Sequence, residues 1–246
     1  MAVTLARPWL EFDLGAPMQV LSFVLNTPGF CTARRIMWRE VRNADLPPGM
    51  DVDPWLQDQL QAYGATDAPC FLTSRDVSAF EVAHATVEDV TATAVVTIGL
   101  SNAERIGARV AYDPAQFGTI NVALRLSVGL SQAALIETLA LVAQARTVAV
   151  AELGCQLPTG LATGTGTDCI AVAAPAGQAR FAGMHTAIGH AAGQAVYAAT
   201  ARGGQYWMQH VRRTPAYWIA CKSRAFLIWA ARRCGLLRAC RFSRWR

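Results

Sequence analysis

Hydrophobic and polar positions along two stretches of the chain predict β-strands. Residues 91–98, TATAVVTI, are almost all β-branched or alanine and end at Gly99, which is typical of a strand and its exit. In residues 119–126, TINVALRL, every second residue from Ile120 onward is a large aliphatic one. This period of two predicts a strand with one buried face and with Asn121 on the opposite face.

Three other segments have the spacing of helices. Ser131 is a candidate N-cap, because apolar residues follow it at helical intervals and predict a helix of about four turns or more. Residues 55–64, WLQDQLQAYG, predict a short helix. Residues 183–201 predict another, whose stripe of small residues suits close packing on a sheet or a helix: Ala187, Ala191, Gly193 and Ala195.

The order of elements predicts the fold class. Short apolar runs separated by turn signals in the first 70 residues indicate strands, and residues 169–174 indicate a further strand between the two long helices. We therefore expect an α+β fold in which a mixed, largely antiparallel sheet is layered with helices. We place a single domain at residues 1–202 and a basic, helical C-terminal tail at residues 203–246.

Composition excludes several classes of protein. With 246 residues, 53% of them hydrophobic and 16% charged, the chain predicts a packed globular body. The N-terminus lacks the pattern of a secretory signal, and residues 181–201 are too weakly apolar for a membrane span. Seven scattered cysteines without a CxxC motif favour neither a zinc site nor a disulfide framework, so we expect reduced thiols in a cytoplasmic protein.

Charge is distributed unevenly along the chain. All 17 acidic residues lie at or before Asp168, and residues 169–246 contain only basic charges. A mechanism that needs a carboxylate must therefore take it from the first two-thirds of the chain.

The tail combines basic and aromatic residues. Three residue pairs that each end in tryptophan, at Trp207, Trp218 and Trp229, recur at an interval of 11, so residues 216–234 predict a basic helix with an aromatic face. Such a helix could lie weakly on an anionic membrane or pack on the body. The chain has one Lys against 21 Arg, however, and a shifted reading frame in a GC-rich gene would also produce this composition. Under either interpretation we expect the tail to be an accessory without site residues.

The segment 163–168, TGTGTD, has the composition of a functional loop. A phosphate-binding loop should open a helix, whereas here a strand follows. A tight turn would use the glycines for positive φ and the threonines for backbone hydrogen bonds. An active-site loop would expose backbone N–H groups at Gly164 and Gly166 and bring hydroxyls and a carboxylate together, which are the groups that amide hydrolysis needs.

Four blocks in fixed order carry a resemblance to a known family: GLSNAERIG, GTINVALRLSVGLSQAALIETL, ATGTGTDCIAVAAP and FAGMHTAIGHAAGQAV. Together they resemble the adenosylcobinamide amidohydrolase family over about residues 65–201, and more loosely over the N-terminal part. The resemblance implies hydrolysis of the amide that joins aminopropanol to the corrin ring, giving adenosylcobyric acid for cobamide salvage. It also implies a corrinoid substrate. One departure is visible, since Gln144 stands where the family pattern has Glu, and we expect that position to be structural.

The resemblance assigns no catalytic roles, so we assign them from chemistry. Asp168 could be general base to a water, or could orient Thr165 or Thr167 as the nucleophile. His185, at a helix start, could shuttle a proton to the leaving amine. The corrin rim carries amides, for which we expect these substrate contacts: Ser101, Asn102, Asn121, Gly164 and Gly166. We predict that Asp168, Thr167 and His185 converge beside Asn102 and Asn121 at one edge of the sheet.

Other functions remain as alternatives. A non-catalytic corrinoid-binding protein on the same fold is the first, and turnover would separate it from the enzyme. A nucleic-acid or membrane-surface protein would rest on the basic tail, which lies outside the region of resemblance. A metal hydrolase is weakened because the sequence lacks HxxxH and Cys/His clusters. We expect no protein cofactor or metal, with cobalt entering only in the substrate, and the oligomeric state stays open.

Overall fold

The computed structural model of the chain describes residues 2–42, 44–47, 49–108 and 118–212. The strands of this part are β1 Ala2–Ala6, β2 Trp9–Ser22, β3 Gly29–Glu40, β4 Cys70–Thr73, β5 Glu81–Val87, β6 Val90–Ile98, β7 Ala103–Glu104, β8 Ile120–Leu126, β9 Gln156–Leu157, β10 Gly160–Leu161, β11 Gly164–Thr165 and β12 Cys169–Ala174. Its helices are α1 Val52–Tyr63, α2 Gln132–Glu152 and α3 Ala187–Tyr206, with a 3₁₀ turn at Val77–Ala79 and a π-helical turn at Trp207–Val211.

Eight strands form the main sheet in the order β4-β3-β2-β12-β8-β6-β5, with β1 paired to β2. Two of its pairings, β3 with β4 and β8 with β12, are parallel, and the others are antiparallel. The predicted α+β fold with a mixed, largely antiparallel sheet is therefore confirmed. The segment that joins β8 to β12 contains α2, which is the helical crossover that a parallel pair requires.

The sheet curls so that one of its faces is enclosed. The Asn121 amide on β8 donates to the Leu72 carbonyl oxygen on β4 across 3.1 Å, although three strands separate β8 from β4 in the sheet. Side chains from both ends of the sheet, including Phe71 of β4 and Val95 of β6, share one buried cluster on this concave face. Both faces of β8 are thus buried, and the face opposite Ile120 is interior rather than solvent-facing.

Helices cover the convex face. The α1 helix packs on the β3 and β4 side, where Leu56 and Leu60 meet Met37 and Leu72. The α2 and α3 helices pack on each other, with α2 against β12 and α3 against β5 and β6. The alternation of apolar residues along β12 and β8 therefore divides their side chains between two cores, one under the helices and one inside the curl.

The helix starts follow the capping rules. Ser131 accepts a hydrogen bond from the Ala134 N–H at 3.3 Å, which confirms it as the N-cap of α2. The α1 helix begins at Val52, three residues before the predicted start, because Asp51 supplies the cap and Pro54 is tolerated in a first turn. It ends as predicted at Gly64, which adopts the left-handed conformation with φ 75°.

The α3 helix is shifted toward the C-terminus relative to the prediction of residues 183–201. Thr186 caps it through a hydrogen bond from the Gly189 N–H at 3.0 Å, so the helix starts at Ala187. It continues past Arg202 because Gly203 passes close to β6, where a Cβ would lie 2.7 Å from Ile98 Cγ2. Trp207 then joins the buried core beneath the helices. The boundary expected at Arg202 therefore falls inside a packed helix.

The apolar character of α2 has a structural explanation. By length and composition this helix could cross a membrane, with a mean hydropathy of 1.5 in its most apolar window. Its buried apolar residues, among them Leu135, Val142 and Val150, pack in the core shared with β12 and α3, and a helix of a globular core meets the same criterion. The predicted tail helix at residues 216–234 lies outside the described residues.

Removal of the segment after Arg202 should destabilise the body. Trp207 is only 4% exposed, so we expect Trp207→Ala, or a chain ending at Arg202, to lose about 3–5 kcal/mol of unfolding free energy. A chain ending at Arg212 should keep the stability of the full chain. Tyr206→Ala is the matched control, because Tyr206 is half exposed and its ring contacts Arg75 and His210 rather than the buried core. Chemical denaturation measures the difference, and equal midpoints for the Arg202 and Arg212 chains would contradict this boundary.

Candidate active site

The TGTGTD segment forms a short antiparallel ribbon with the turn that follows β6. In this ribbon β11 pairs with β7, placing Gly164 opposite Glu104 and Thr165 opposite Ala103. The Thr163 N–H also donates to the Glu104 carbonyl oxygen at 2.8 Å. Two of the four sequence blocks, GLSNAERIG and ATGTGTDCIAVAAP, thus meet at the N-terminal end of β12.

Gly164 is required by close approach rather than by an unusual backbone angle. A Cβ at this position would lie 2.5 Å from Asp168 Oδ2, which is too close for any side chain. Neither Gly164 nor Gly166 has a positive φ, so the interpretation of these glycines as left-handed turn residues is wrong. Gly166 is exposed, and a Cβ there would meet open space, which leaves its backbone bare beside Thr165.

Asp168 is the centre of the ribbon's hydrogen bonding. Its Oδ1 accepts from the Ile120 N–H at 3.0 Å and from the Thr165 hydroxyl at 2.5 Å. Its Oδ2 accepts from the Thr165 N–H at 2.9 Å and lies 2.8 Å from Arg146 Nη1 on α2. The carboxylate is 7% exposed, so these four donors replace nearly all of its contact with water.

Opposing effects act on the ionisation of Asp168. Burial raises the pKa of this carboxyl, while the Arg146 guanidinium and the bonds from Thr165 and Ile120 act to lower it. Each of the four contacts presents a donor to a carboxylate oxygen, so the geometry fits the ionised form. A carboxylate with both oxygens filled in this way has no lone pair left for a water, and the only hydroxyl it can deprotonate in place is that of Thr165.

A cleft of about 230 Å³ lies against this centre. Two residues of α2, Arg146 and Thr147, form one wall, and the ribbon forms the rest through Glu104, Arg105, Ile106, Thr163, Gly164, Thr165, Gly166 and Asp168. The cleft therefore holds two carboxylates, two guanidinium groups and three threonine hydroxyls within a small volume. This composition suits polarisation of a carbonyl and transfer of protons.

The two candidate threonine nucleophiles have different environments. Thr165 lies in the cleft with its hydroxyl on Asp168. Thr167 is buried, and its hydroxyl donates to the Gly118 carbonyl oxygen at 2.8 Å, outside the residues that line the cleft. Of the two alternatives, the structure places only Thr165 where a substrate amide could reach it.

The two candidate asparagines also differ. Asn121 is buried inside the curl, where its amide donates to Leu72 and its oxygen accepts from the Thr119 hydroxyl at 3.2 Å. The expectation that it faces the substrate assumed a polar outer face, and the curl makes that face interior. Asn102 follows the end of β6, and its side chain lies against Gly118. A Cβ added to Gly118 would be only 2.7 Å from Asn102 Oδ1.

The turn before β7 contains unpaired buried polar atoms. Within the part of the chain that the structure describes, Ser101 Oγ and Asn102 Oδ1 are buried without a hydrogen-bond partner. Buried oxygens of this kind are uncommon, since most find a partner in the protein or in water. Both residues lie next to the Gly118 backbone that holds Thr167. They are therefore close to the ribbon, although they do not line the cleft.

His185 does not join the predicted cluster. It is exposed and follows the loop beyond the far end of β12, and β12 alone separates the two ends by roughly 17 Å at about 3.3 Å per residue. The Ala182 N–H beside it donates to Glu137 Oε2 at 2.6 Å, near the start of α2, whereas Asp168 pairs with Arg146 in the second half of that helix. The prediction is therefore wrong for His185, whereas Asp168 and Thr167 lie beside Asn121 and Asn102 as predicted.

Sequence reasoning missed two charged residues of the cleft. Within residues 144–147, the comparison with the family pattern singled out Gln144, which is exposed. Arg146, two residues later, forms the ion pair with Asp168. A lone arginine in the middle of an apolar helix was the signal for this role. Glu104 lay inside a recognised block, but a single glutamate in a turn carries no distinguishing pattern.

Comparison with known proteins agrees with the sequence blocks. Residues 2–212 match the model of the family described as adenosylcobinamide amidohydrolase. A comparison with curated proteins gave no match. The matched region extends beyond residues 65–201 and includes β1–β3 and α1, in the N-terminal part where a looser match was expected, and the π-helical turn at the other end. The chain therefore belongs to the adenosylcobinamide amidohydrolase family.

Proposed function

We propose that the chain hydrolyses the amide between aminopropanol and the corrin ring of adenosylcobinamide, releasing aminopropanol and adenosylcobyric acid for cobamide salvage. The observation that carries this proposal is the Thr165–Asp168–Arg146 arrangement beside a cleft, in a chain of this family. A hydroxyl on a buried carboxylate is the arrangement of an activated oxygen nucleophile.

The size of the cleft favours entry of one side arm. At about 230 Å³ the cleft is smaller than the roughly 300–1,000 Å³ typical of pockets for drug-sized ligands. A corrin ring would therefore stay outside, with the aminopropanol arm inserted toward Thr165.

In the proposed mechanism Thr165 Oγ attacks the amide carbonyl carbon and transfers its proton to Asp168. The resulting oxyanion lies near the positive charge of Arg146 and the bare backbone at Gly166. The amine departs with a proton from a second acid of the cleft and leaves an ester on Thr165. A water molecule then attacks this ester and gives a proton back to the same acid. Asp168 then returns its proton to Thr165 Oγ, and the enzyme is restored.

Incubation of the purified chain with adenosylcobinamide tests the proposal. We expect stoichiometric formation of aminopropanol and adenosylcobyric acid, measured by mass spectrometry, and no formation with Thr165→Val. Retention of the corrinoid on a folded chain without aminopropanol release would instead support the alternative of a non-catalytic corrinoid-binding protein.

The same assay tests the proposal that no protein-bound metal takes part. Among residues 2–42, 44–47, 49–108 and 118–212, no group of three His, Cys, Asp or Glu side chains is arranged to hold a metal. We expect the rate to be unchanged after treatment with a chelator. Loss of activity that zinc or manganese restores would contradict this part of the proposal.

A further inference from the structure

We propose that Glu104 is the proton-transfer group for the leaving amine, an inference that rests on the proposed amide hydrolysis. It would donate a proton to the amide nitrogen during acylation and accept one from water during deacylation. Three observations of the cleft carry this assignment: the position of Glu104 on the ribbon, the chemistry of its neighbours, and the state of its carboxylate.

The ribbon places Glu104 beside the reacting groups. Glu104 is directly opposite Gly164, and residues opposite each other in an antiparallel pair have Cβ atoms about 4.5–5.5 Å apart. A Cβ added to Gly164 would lie 2.5 Å from Asp168 Oδ2 and 3.5 Å from Arg146 Nη2, so both groups are on the side to which that Cβ would point. Because Gly164 has no side chain, the Glu104 side chain shares the open face of the ribbon with these two groups.

In the proposed mechanism Asp168 is assigned to the proton of Thr165, which it later returns to Thr165 Oγ. Its two oxygens are filled by Arg146, Ile120 and Thr165, and it receives the proton of the nucleophile. The amide nitrogen still needs a proton, because an alkylamine anion is a very poor leaving group. The other charged groups that line the cleft are Arg105 and Arg146, and a guanidinium does not give up a proton near neutral pH.

The Glu104 carboxylate is suited to hold a proton and release it. Among the described residues no hydrogen bond or ion pair engages it, and its backbone is fixed by the Thr163 N–H. Burial raises the pKa of this carboxyl above its ordinary value. A raised pKa brings a carboxylic acid closer to the operating pH, where proton transfer is most efficient.

Glu104 transfers a proton twice in each turnover. As the tetrahedral intermediate collapses, the C–N bond breaks, its electron pair stays on nitrogen, and the Glu104 O–H proton bonds to that pair to give neutral aminopropanol. The Glu104 carboxylate then takes a proton from the water whose oxygen attacks the Thr165 ester. This second transfer regenerates the Glu104 acid for the next turnover.

Glu104→Gln tests the role by comparing two leaving groups. We expect kcat for adenosylcobinamide to fall about 10²–10⁴-fold with little change in KM, and the decline of acylation at high pH to disappear. With the 4-nitrophenyl ester of adenosylcobyric acid, whose leaving group needs no proton, the variant should still give a burst of about one nitrophenolate per enzyme. Glu152→Gln is the matched control, since Glu152 is an exposed α2 residue paired with Tyr197, and it should behave as wild type.

The outcomes separate the two proposals. Normal amide turnover by Glu104→Gln, or an equal loss of the amide reaction and of the ester burst, would overturn the role of Glu104 while the proposed function stands. Failure of the wild-type chain to release aminopropanol would remove the proposed function and this inference with it. Partial activity of Glu104→Asp, with its carboxyl drawn back by one methylene, would support the role.

Discussion

Asp168→Asn should abolish turnover and also lower the free energy of unfolding by about 3–5 kcal/mol. The substitution leaves the Arg146 guanidinium without its counter-charge in a largely buried position. It also turns an amide NH₂ toward groups that are themselves donors, because all four contacts of Asp168 donate to it. We therefore expect Asp168 to support the fold as well as the chemistry.

A double-mutant cycle measures this coupling. Asp168→Asn, Arg146→Met and the double variant are compared by chemical denaturation, and the double variant should be destabilised by less than the sum of the single ones. Turnover is measured on each folded variant with adenosylcobinamide. Additive losses of stability, or near-normal turnover by Asp168→Asn, would show that the ion pair does not have the role that its geometry indicates.

Thr165→Val should lower the rate of adenosylcobinamide hydrolysis by about 10³-fold or more while the fold is retained. Valine preserves the shape of the side chain, and the backbone N–H of residue 165 still donates to Asp168. Thr165→Ser keeps the hydroxyl and should keep measurable activity. Mass spectrometry of the denatured enzyme after rapid mixing should show a corrinoid ester on the wild-type chain and none on the valine variant.

Thr167→Val is the matched control for the nucleophile. Its hydroxyl bonds to the Gly118 carbonyl oxygen, so its loss should cost about 1 kcal/mol of stability and leave turnover close to wild type. If Thr165→Val remained active and formed no ester, a water molecule would be the attacking group, and Asp168 would have to give up one of its present bonds to activate it.

Local pattern was sufficient to predict many elements of the fold. The strands at residues 91–98, 119–126 and 169–174 and the cap at Ser131 were correct because they depend on neighbours in the chain. The end of α3 was missed because it depends on Gly203 and Trp207 packing against distant elements. The sequence pattern that favours a helix stops near Ala201, but the helix extends to Tyr206 because its last turn is packed against other elements.

The candidate site was predicted in part. Thr165 and Asp168 are neighbours in the chain, and their contact follows from a short loop. The partners of Asp168 on other elements, Ile120 and Arg146, are 48 and 22 residues away along the chain, and spacing alone could not identify them. The same limit explains the error at His185, which shares a sequence neighbourhood with β12 but lies beyond its opposite end.

The sequence by itself determined the family, the alternation of the central strands and the presence of a threonine–aspartate loop before β12. These features are written in residues that are adjacent or nearly so, where side-chain spacing and backbone preferences act directly. Only the tertiary structure decided which threonine faces a cleft, that Asn121 is buried, and that Arg146 and Glu104 flank the carboxylate. The physical reason is the curl of the sheet and the packing of α2, which bring together residues distant in the chain and enclose a face that periodicity alone marks as polar.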